Sequence, residues 1–215
     1  MTLRLSASAR LAPGIATPRY DRARPGGIVH IGVGAFHKAH QAVYTDEALA
    51  RSGGDWMITG VSLRSAEVAE ALNPQDGLYT LLVRGPEGVS AHVVGSIARV
   101  LVAPKDPAAV LEALAAPSTR IVSLTITEKG YGIEPATGGL DRSHPAIAAD
   151  LAEPEHPKGA VGYIVEALRL RRQRGLGGFT VLSCDNLPGN GHVVGRLVGE
   201  FAALRDPALA RFVEA

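Results

Sequence analysis

One stretch constrains the fold more than any other: "IVHIGVGAFHKAHQA", residues 28–42. It opens as a short, β-branched, apolar run with no polar alternation. Such a run reads as a strand buried on both faces, which calls for a parallel sheet with helices on either side. The run ends in Gly32-x-Gly34 and then turns helical. Between a strand and a helix, the first glycine of such a turn makes the tight bend. The second lets a pyrophosphate approach the backbone. A complete dinucleotide fingerprint has a third glycine at position 37. Here that residue is His37, followed by Lys38 and Ala39. From these residues alone, a cofactor turn and a purely structural turn both stand.

The rest of the chain repeats the pattern. "WMITGVSL" (56–63), "RIVSLTIT" (120–127) and "FTVLSC" (179–184) are further apolar strands. Helices are predicted over 35–51, 67–72, 106–115, 159–174 and 190–204. Asp106 is a good N-cap with Pro107 at the first helical position. The helix 159–174 ends in a basic turn and Gly175, as the helix dipole prefers. "LYTLLVRG" and "AHVVGSIARVLV" flank Gly85, Pro86, Glu87 and Gly88. They predict an antiparallel hairpin inserted at 78–102. The Gly/Pro-rich region 130–157 reads mostly as loop. The fold expected is α/β: a doubly wound, Rossmann-like, mostly parallel sheet with a hairpin insertion. Residues 1–24 form an N-terminal arm. Residues 25–215 are read as one α/β domain, a dinucleotide-binding one where the glycine turn holds a cofactor, and expected to be incomplete at its C-terminal end. The arm carries Arg4, Arg10 and Arg19, and its first twenty residues hold no acid. It is read as a surface arm in preference to an organelle-targeting leader.

Composition excludes several classes. The chain has 215 residues, enough for one α/β domain with a real core. Lys plus Arg is 22 against 21 Asp plus Glu, which gives no electrostatic reason to expect nucleic acid or an anionic membrane. No apolar run approaches the roughly 18–20 residues of a membrane span. Cys184 is the one cysteine, so no internal disulfide forms and a reducing cytoplasm is the simplest setting. There is no Gly-Lys-Ser/Thr loop and no Gly-x-Ser-x-Gly elbow.

Two other strands end in chemistry. "SLTITEKGY" closes with Thr127, Glu128 and Lys129, and "SCDNLPGNG" with Cys184, Asp185 and Asn186. Ligands bind beyond the carboxyl ends of the strands in open α/β sheets, so both clusters should meet the glycine turn in one crevice. Turn and N-cap chemistry is the alternative for Asp185-Asn186. A surface ion pair is the alternative for Glu128 and Lys129. Cys184 reads as a packed small hydrophobe with no base partner. The acid that binds adenosine ribose is not obvious: Asp55 precedes its strand and Glu67 comes late. Arg64 could pair a ribose phosphate, stack on adenine or sit in solvent, which leaves NAD and NADP both open. His37 and His40 lie on one side of the first predicted helix. With no cysteine or HExxH pattern, they are read as lining the cleft or packing against a loop, not as metal ligands.

Taken in order, "IVHIGVGAFHKAHQAVYTDEAL", "GVSLRS", "QDGLYTL", "SLTITEKGY", "GYIVEALRLRR" and "FTVLSCDNLPGNGH" resemble the mannitol dehydrogenase family of polyol-specific long-chain dehydrogenases. That family includes mannitol 2-dehydrogenase and fructuronate reductase. The resemblance runs from about residue 18 onward. It implies metal-free, NAD(P)-linked hydride transfer between a secondary alcohol of a sugar alcohol or sugar acid and its ketone. It also implies that the missing third glycine is the family's own variant. Carried over, Gly32, Gly34 and Phe36 would lie at the cofactor, and Asn186 would donate to the reacting oxygen. Glu128 would face the substrate as acceptor or proton relay. Asp185 would support the cofactor or the loop. Lys129 would suit a uronate or aldonate carboxylate.

The resemblance also sets a departure. Members of that family are roughly twice this long and take their base from a Lys-x4-Asn-x2-His helix in a C-terminal helical domain. No such pattern occurs here, and the arginines of 159–174 cannot act as bases near neutral pH. The expectation is therefore a chain with little turnover alone, whose cut sheet exposes apolar surface open to self-association. A dinucleotide-binding protein without catalysis is the alternative.

Overall fold

The computed structural model describes residues 4–6 and 9–214. Residues 1–3, 7 and 8 of the expected arm, and Ala215, lie outside the described residues. The strands are β1 (Gly26–Ile31), β2 (Met57–Ser62), β3 (Tyr79–Gly85), β4 (Gly88–Val94), β5 (Ile97–Val102), β6 (Ile121–Leu124) and β7 (Thr180–Ser183). The helices are α1 (Ala35–Ala39), α2 (Gln41–Ser52), α3 (Glu67–Leu72), α4 (Pro107–Ala115), α5 (Pro145–Ala152), α6 (Ala160–Gln173), α7 (Asn190–Arg205) and α8 (Pro207–Glu214). Five strands make one sheet in the order β5-β2-β1-β6-β7, every neighbour parallel. The alternation of β1 explains its uniform apolarity. Ile28 packs with α2 and α3 on one face, while Val29 and Ile31 pack with α4, α6 and α7 on the other. The strand order reverses between β1 and β6, which makes the crevice there the ligand-binding position of this architecture.

Three elements differ from the sequence expectation. The inserted hairpin is shorter: β3 pairs antiparallel with β4 alone, and β5 runs parallel to β2 in the main sheet. The break falls at Gly95-Ser96. Buried Ser96 donates its hydroxyl to the Ala42 carbonyl at 2.6 Å, and its own carbonyl accepts from Ile58 N–H. Both bonds tie the junction to the core, a long-range effect invisible in a continuous apolar run. The helix predicted over 35–51 breaks at His40, where φ is −129° and ψ is −89°. His37 and His40 therefore do not share a helix face. The region 130–157 contains α5, with Pro145 opening it. Buried Asp150 on α5 accepts the Lys158 and Gly159 N–H groups at 2.7 and 2.9 Å. The arm crosses the β4 side of the domain, where Ala16 bridges His92 and Arg22 Nε donates to the Gly95 carbonyl.

The glycine turn rests on a polar cluster beneath it. Gly32 has φ +102°, and a Cβ there would meet the Thr125 carbonyl oxygen at 2.1 Å. Only glycine allows this approach of β1's end to β6. Thr125 donates its hydroxyl to the Gly32 carbonyl at 2.6 Å. His30 is buried, with Nδ1 2.8 Å from Ser123 Oγ and Nε2 2.9 Å from Thr125 Oγ1. His37 stacks on it, ring centroids 3.5 Å apart, and holds Gln41 Oε1 through Nδ1 at 3.2 Å. Burial lowers the pKa of His37 to about 4, partly opposed by the Gln41 bond. Burial, then the neighbouring His37, puts His30 well below its usual range.

Both imidazoles are neutral in the fold, and no carboxylate stands beside them in these contacts to offset a proton. Between about 4 and 6.5 the unfolded chain binds more protons at His37 than the folded one does, so stability rises with pH there and is lost as acid is added. The expected outcome is a loss of stability from His37 of about 2–3 kcal/mol between pH 7 and pH 4.5, read as a lowered Tm. His37→Gln should flatten that acid limb; an unchanged limb in the variant would refute the assignment. Gly32→Ala should cost more than about 2 kcal/mol at any pH, read as a lowered denaturation midpoint.

Candidate active site

All five strands of the main sheet point their carboxyl ends to one edge, and four of those ends carry the residues singled out by the sequence. A cavity of about 300 Å³ follows β1, β2 and β6, lined by Gly32, Gly34, Ser62, Leu63, Arg64, Ser65, Val68 and Thr125–Thr127 among others. A second cavity, about 330 Å³, follows β6 and β7 and is lined by Thr127, Glu128, Lys129, Asp185 and Asn186. Thr127 belongs to both walls.

Gly34 differs from Gly32. A Cβ at Gly34 would meet nothing nearer than the Gly32 carbonyl at 3.8 Å. Its φ of −109° and ψ of −173° suit any residue. Nothing in the protein's own packing demands glycine there, and the exposed face it leaves bare opens on the first cavity. That is the fit expected where a ligand backbone or phosphate comes close. Arg64 lines the same cavity, exposed and beside Ser65. No carboxylate lines this cavity, and neither Asp55 nor Glu67 reaches it.

Phe36 lines neither cavity. It is 56% exposed and stacks on His40 at 4.9 Å, with Tyr44 edge-on to His40. His37 is buried under the glycine turn and not in the cleft. Among the described residues, no group of three His, Cys, Asp or Glu side chains is arranged to hold a metal.

The 126–131 loop is held by Asp185 together with Tyr131, to which the sequence assigned no role. Thr127 has φ +66° and ψ 160°, a glycine region that costs a β-branched residue about 1–3 kcal/mol. Asp185 accepts the Ile126 and Thr127 N–H groups at 2.9 and 3.0 Å, and the Tyr131 phenol at 2.7 Å. Both carboxylate oxygens of Asp185 thus serve the loop. Glu128 and Lys129 are exposed and Asn186 is exposed opposite them; no ion pair joins Glu128 to Lys129 among the described residues. Cys184 is partly buried, and burial, then Asp185, raises its thiol pKa, the opposite of an activated nucleophile. Chemically, the edge offers a bare-backbone cleft, an adjoining cavity with amide, carboxylate and ammonium side chains, and a shared wall.

Comparison with known proteins identifies the domain. Residues 26–215 match the model of the mannitol dehydrogenase Rossmann domain. A mannitol 2-dehydrogenase of Cereibacter sphaeroides is 49% identical over 94% of this chain and 43% of its own length. A D-mannonate oxidoreductase of Escherichia coli (strain K12) is 46% identical over 93% of this chain and 42% of its own. Among solved structures, the Pseudomonas fluorescens mannitol 2-dehydrogenase ternary complex with NAD and D-mannitol superposes with a TM-score of 0.93 at 43% identity, covering 99% of this chain and 44% of that one. This chain therefore spans less than half the length of the relatives it matches, and within that span it belongs to the mannitol dehydrogenase family.

Proposed function

We propose that these residues form the cofactor side of an NAD(P)-dependent dehydrogenase acting on a sugar alcohol or sugar acid, of the mannitol/fructose or mannonate/fructuronate kind. The observation that carries this is Gly34: an exposed glycine whose Cβ has open space, facing a cleft that adjoins a polar cavity across Thr127. NAD is the reading favoured by the solved relative, whose complex holds NAD. Arg64, with no acid in the cleft, keeps NADP open. Bound there, the nicotinamide would exchange hydride with the substrate carbon.

This chain's own residues do the rest. Gly32 makes the bend, Gly34 admits the pyrophosphate, and Arg64 meets the adenosine end. Asn186 donates to the reacting oxygen, where charge builds during transfer. Glu128 accepts a substrate hydroxyl or passes its proton on. Lys129 pairs with a substrate carboxylate where there is one, which favours a sugar acid. Phe36, exposed at the start of α1, is proposed to cover the cofactor from the helix side. The Lys-x4-Asn-x2-His pattern expected of the base does not occur in these residues.

The test is titration of the 215-residue chain with NADH, followed by nicotinamide fluorescence. Saturable binding with a Kd between about 1 μM and 1 mM is expected. Gly34→Val should weaken it by more than about tenfold while shifting Tm by no more than a few degrees, because the backbone there already suits valine. Absence of saturable binding at several millimolar NADH, judged in a folded sample, would sink the proposal. Mixed with NAD and mannitol or mannonate, the same chain should show no hydride transfer above background. Turnover at an ordinary enzyme rate, about 10 s⁻¹, would mean that these residues hold the base after all.

A further inference from the structure

Thr127 is held in a conformation that its own side chain opposes, and the question is what holds it. Such outliers persist only where the surroundings over-determine them. Here the determinants come from across the sheet edge. Asp185 takes the Thr127 N–H on Oδ1 at 3.0 Å and the Ile126 N–H on Oδ2 at 2.9 Å. Tyr131, fully buried, donates its phenol to Oδ2 at 2.7 Å. That uses its one proton, so the Ser183 hydroxyl, 2.8 Å away, donates to the phenol oxygen. The backbone carbonyls of Ser183 and Asp185 are in turn taken by the Asn190 side-chain amide, at 2.9 and 3.2 Å. Burial keeps the phenol above its usual pKa range, so Tyr131 stays a donor wherever the protein is folded. The loop is closed further by the Gly130 N–H on the Thr127 carbonyl at 2.9 Å.

We infer that Tyr131 and Asp185 are positioning residues, a clamp between β6 and β7 that forces Thr127 into the left-handed region and thereby sets the wall shared by the two cavities. Neither residue need touch a ligand. Their effect passes through Thr127, which lines both cavities, and through Glu128, the next residue in the chain. A strained wall held by a partly buried carboxylate with three hydrogen bonds is fixed before a ligand arrives, which spares binding the cost of ordering it.

The binding readout rests on the cofactor reading above, so the test has two arms. In the first, NADH titrations compare the wild-type chain with Asp185→Asn and Tyr131→Phe. Each variant should bind about tenfold more weakly, the effect of losing a hydrogen bond to a carboxylate. Thr127→Gly in the Asp185→Asn background should then restore affinity to within about threefold of wild type, because glycine takes this conformation unforced. A double variant no tighter than Asp185→Asn alone would overturn the clamp, since a merely structural carboxylate would not be relieved by removing strain at Thr127. The second arm is hydrogen exchange of the Ile126 amide, which needs no ligand. Exchange at least about tenfold faster in Tyr131→Phe or Asp185→Asn supports the clamp; unchanged exchange in both overturns it. If the wild type fails to bind NADH, the cofactor reading falls and the exchange arm alone decides the clamp.

Discussion

The approach of β1 to β6 governs this structure. Gly32 lies so close to the Thr125 carbonyl that no side chain fits between them, and the two backbones are stitched there by Thr125 and His30. That contact fixes the register of the two central strands at the point where the chain's crossovers part to opposite faces. The glycine turn, the cleft above it and the direction of the 126–131 loop all follow from it. Its support is unusual in kind: two stacked neutral imidazoles fill the space under the turn in place of aliphatic side chains. Hydrogen bonds at this point do what packing alone does not, since they set direction as well as distance.

A second constraint works on the other side of the crevice. Where β1 and β6 are joined by the absence of a side chain, β6 and β7 are joined by a carboxylate that gathers two backbone amides and a phenol. The two devices meet at the short run Thr125–Thr127. One end of that run is held by Gly32 and His30, the other by Asp185. The crevice is thus bounded by backbone set from both sides, while Glu128, Lys129 and Asn186 stand exposed on top.

Much of this was legible in the sequence, for physical reasons that differ by element. The parallel strands were readable because burial on both faces leaves an uninterrupted apolar run, as in β1, β2 and β6. Capping chemistry placed α4, where Asp106 does accept the Ala109 N–H. That Gly32 and Gly34, Glu128 and Lys129, and Asp185 and Asn186 come out at one sheet edge followed from one rule about carboxyl ends of parallel strands, although they line two adjoining cavities and not one crevice. What escaped depends on contacts distant in sequence. The split of "AHVVGSIARVLV" into β4 and β5 is decided by Ser96 meeting Ala42. The break at His40 coincides with Tyr79, which donates to the Lys38 carbonyl. α5 is hidden in a Gly/Pro-rich stretch because its anchor, Asp150, bonds backbone that follows the helix. Tyr131 stood in a quoted motif without a role, since nothing local says that its phenol will find Asp185. The positive φ at Thr127 has no sequence signal at all; threonine is the residue one would place there last.

The span between clamp and loop also carries a consequence in time. Asp185 lies 58 residues after Thr127. At a synthesis rate of roughly 5–20 residues per second, the loop emerges about 3–12 s before the carboxylate that holds it. During that interval Thr127 has no reason to leave ordinary extended backbone, and Tyr131 has no partner for its phenol. On a growing chain, β1, β2, β5 and β6 can assemble and close the glycine turn while the far wall of the crevice is still undefined. The two halves of the site are therefore born in sequence, the bare-backbone cleft first and the polar cavity only once β7 has docked.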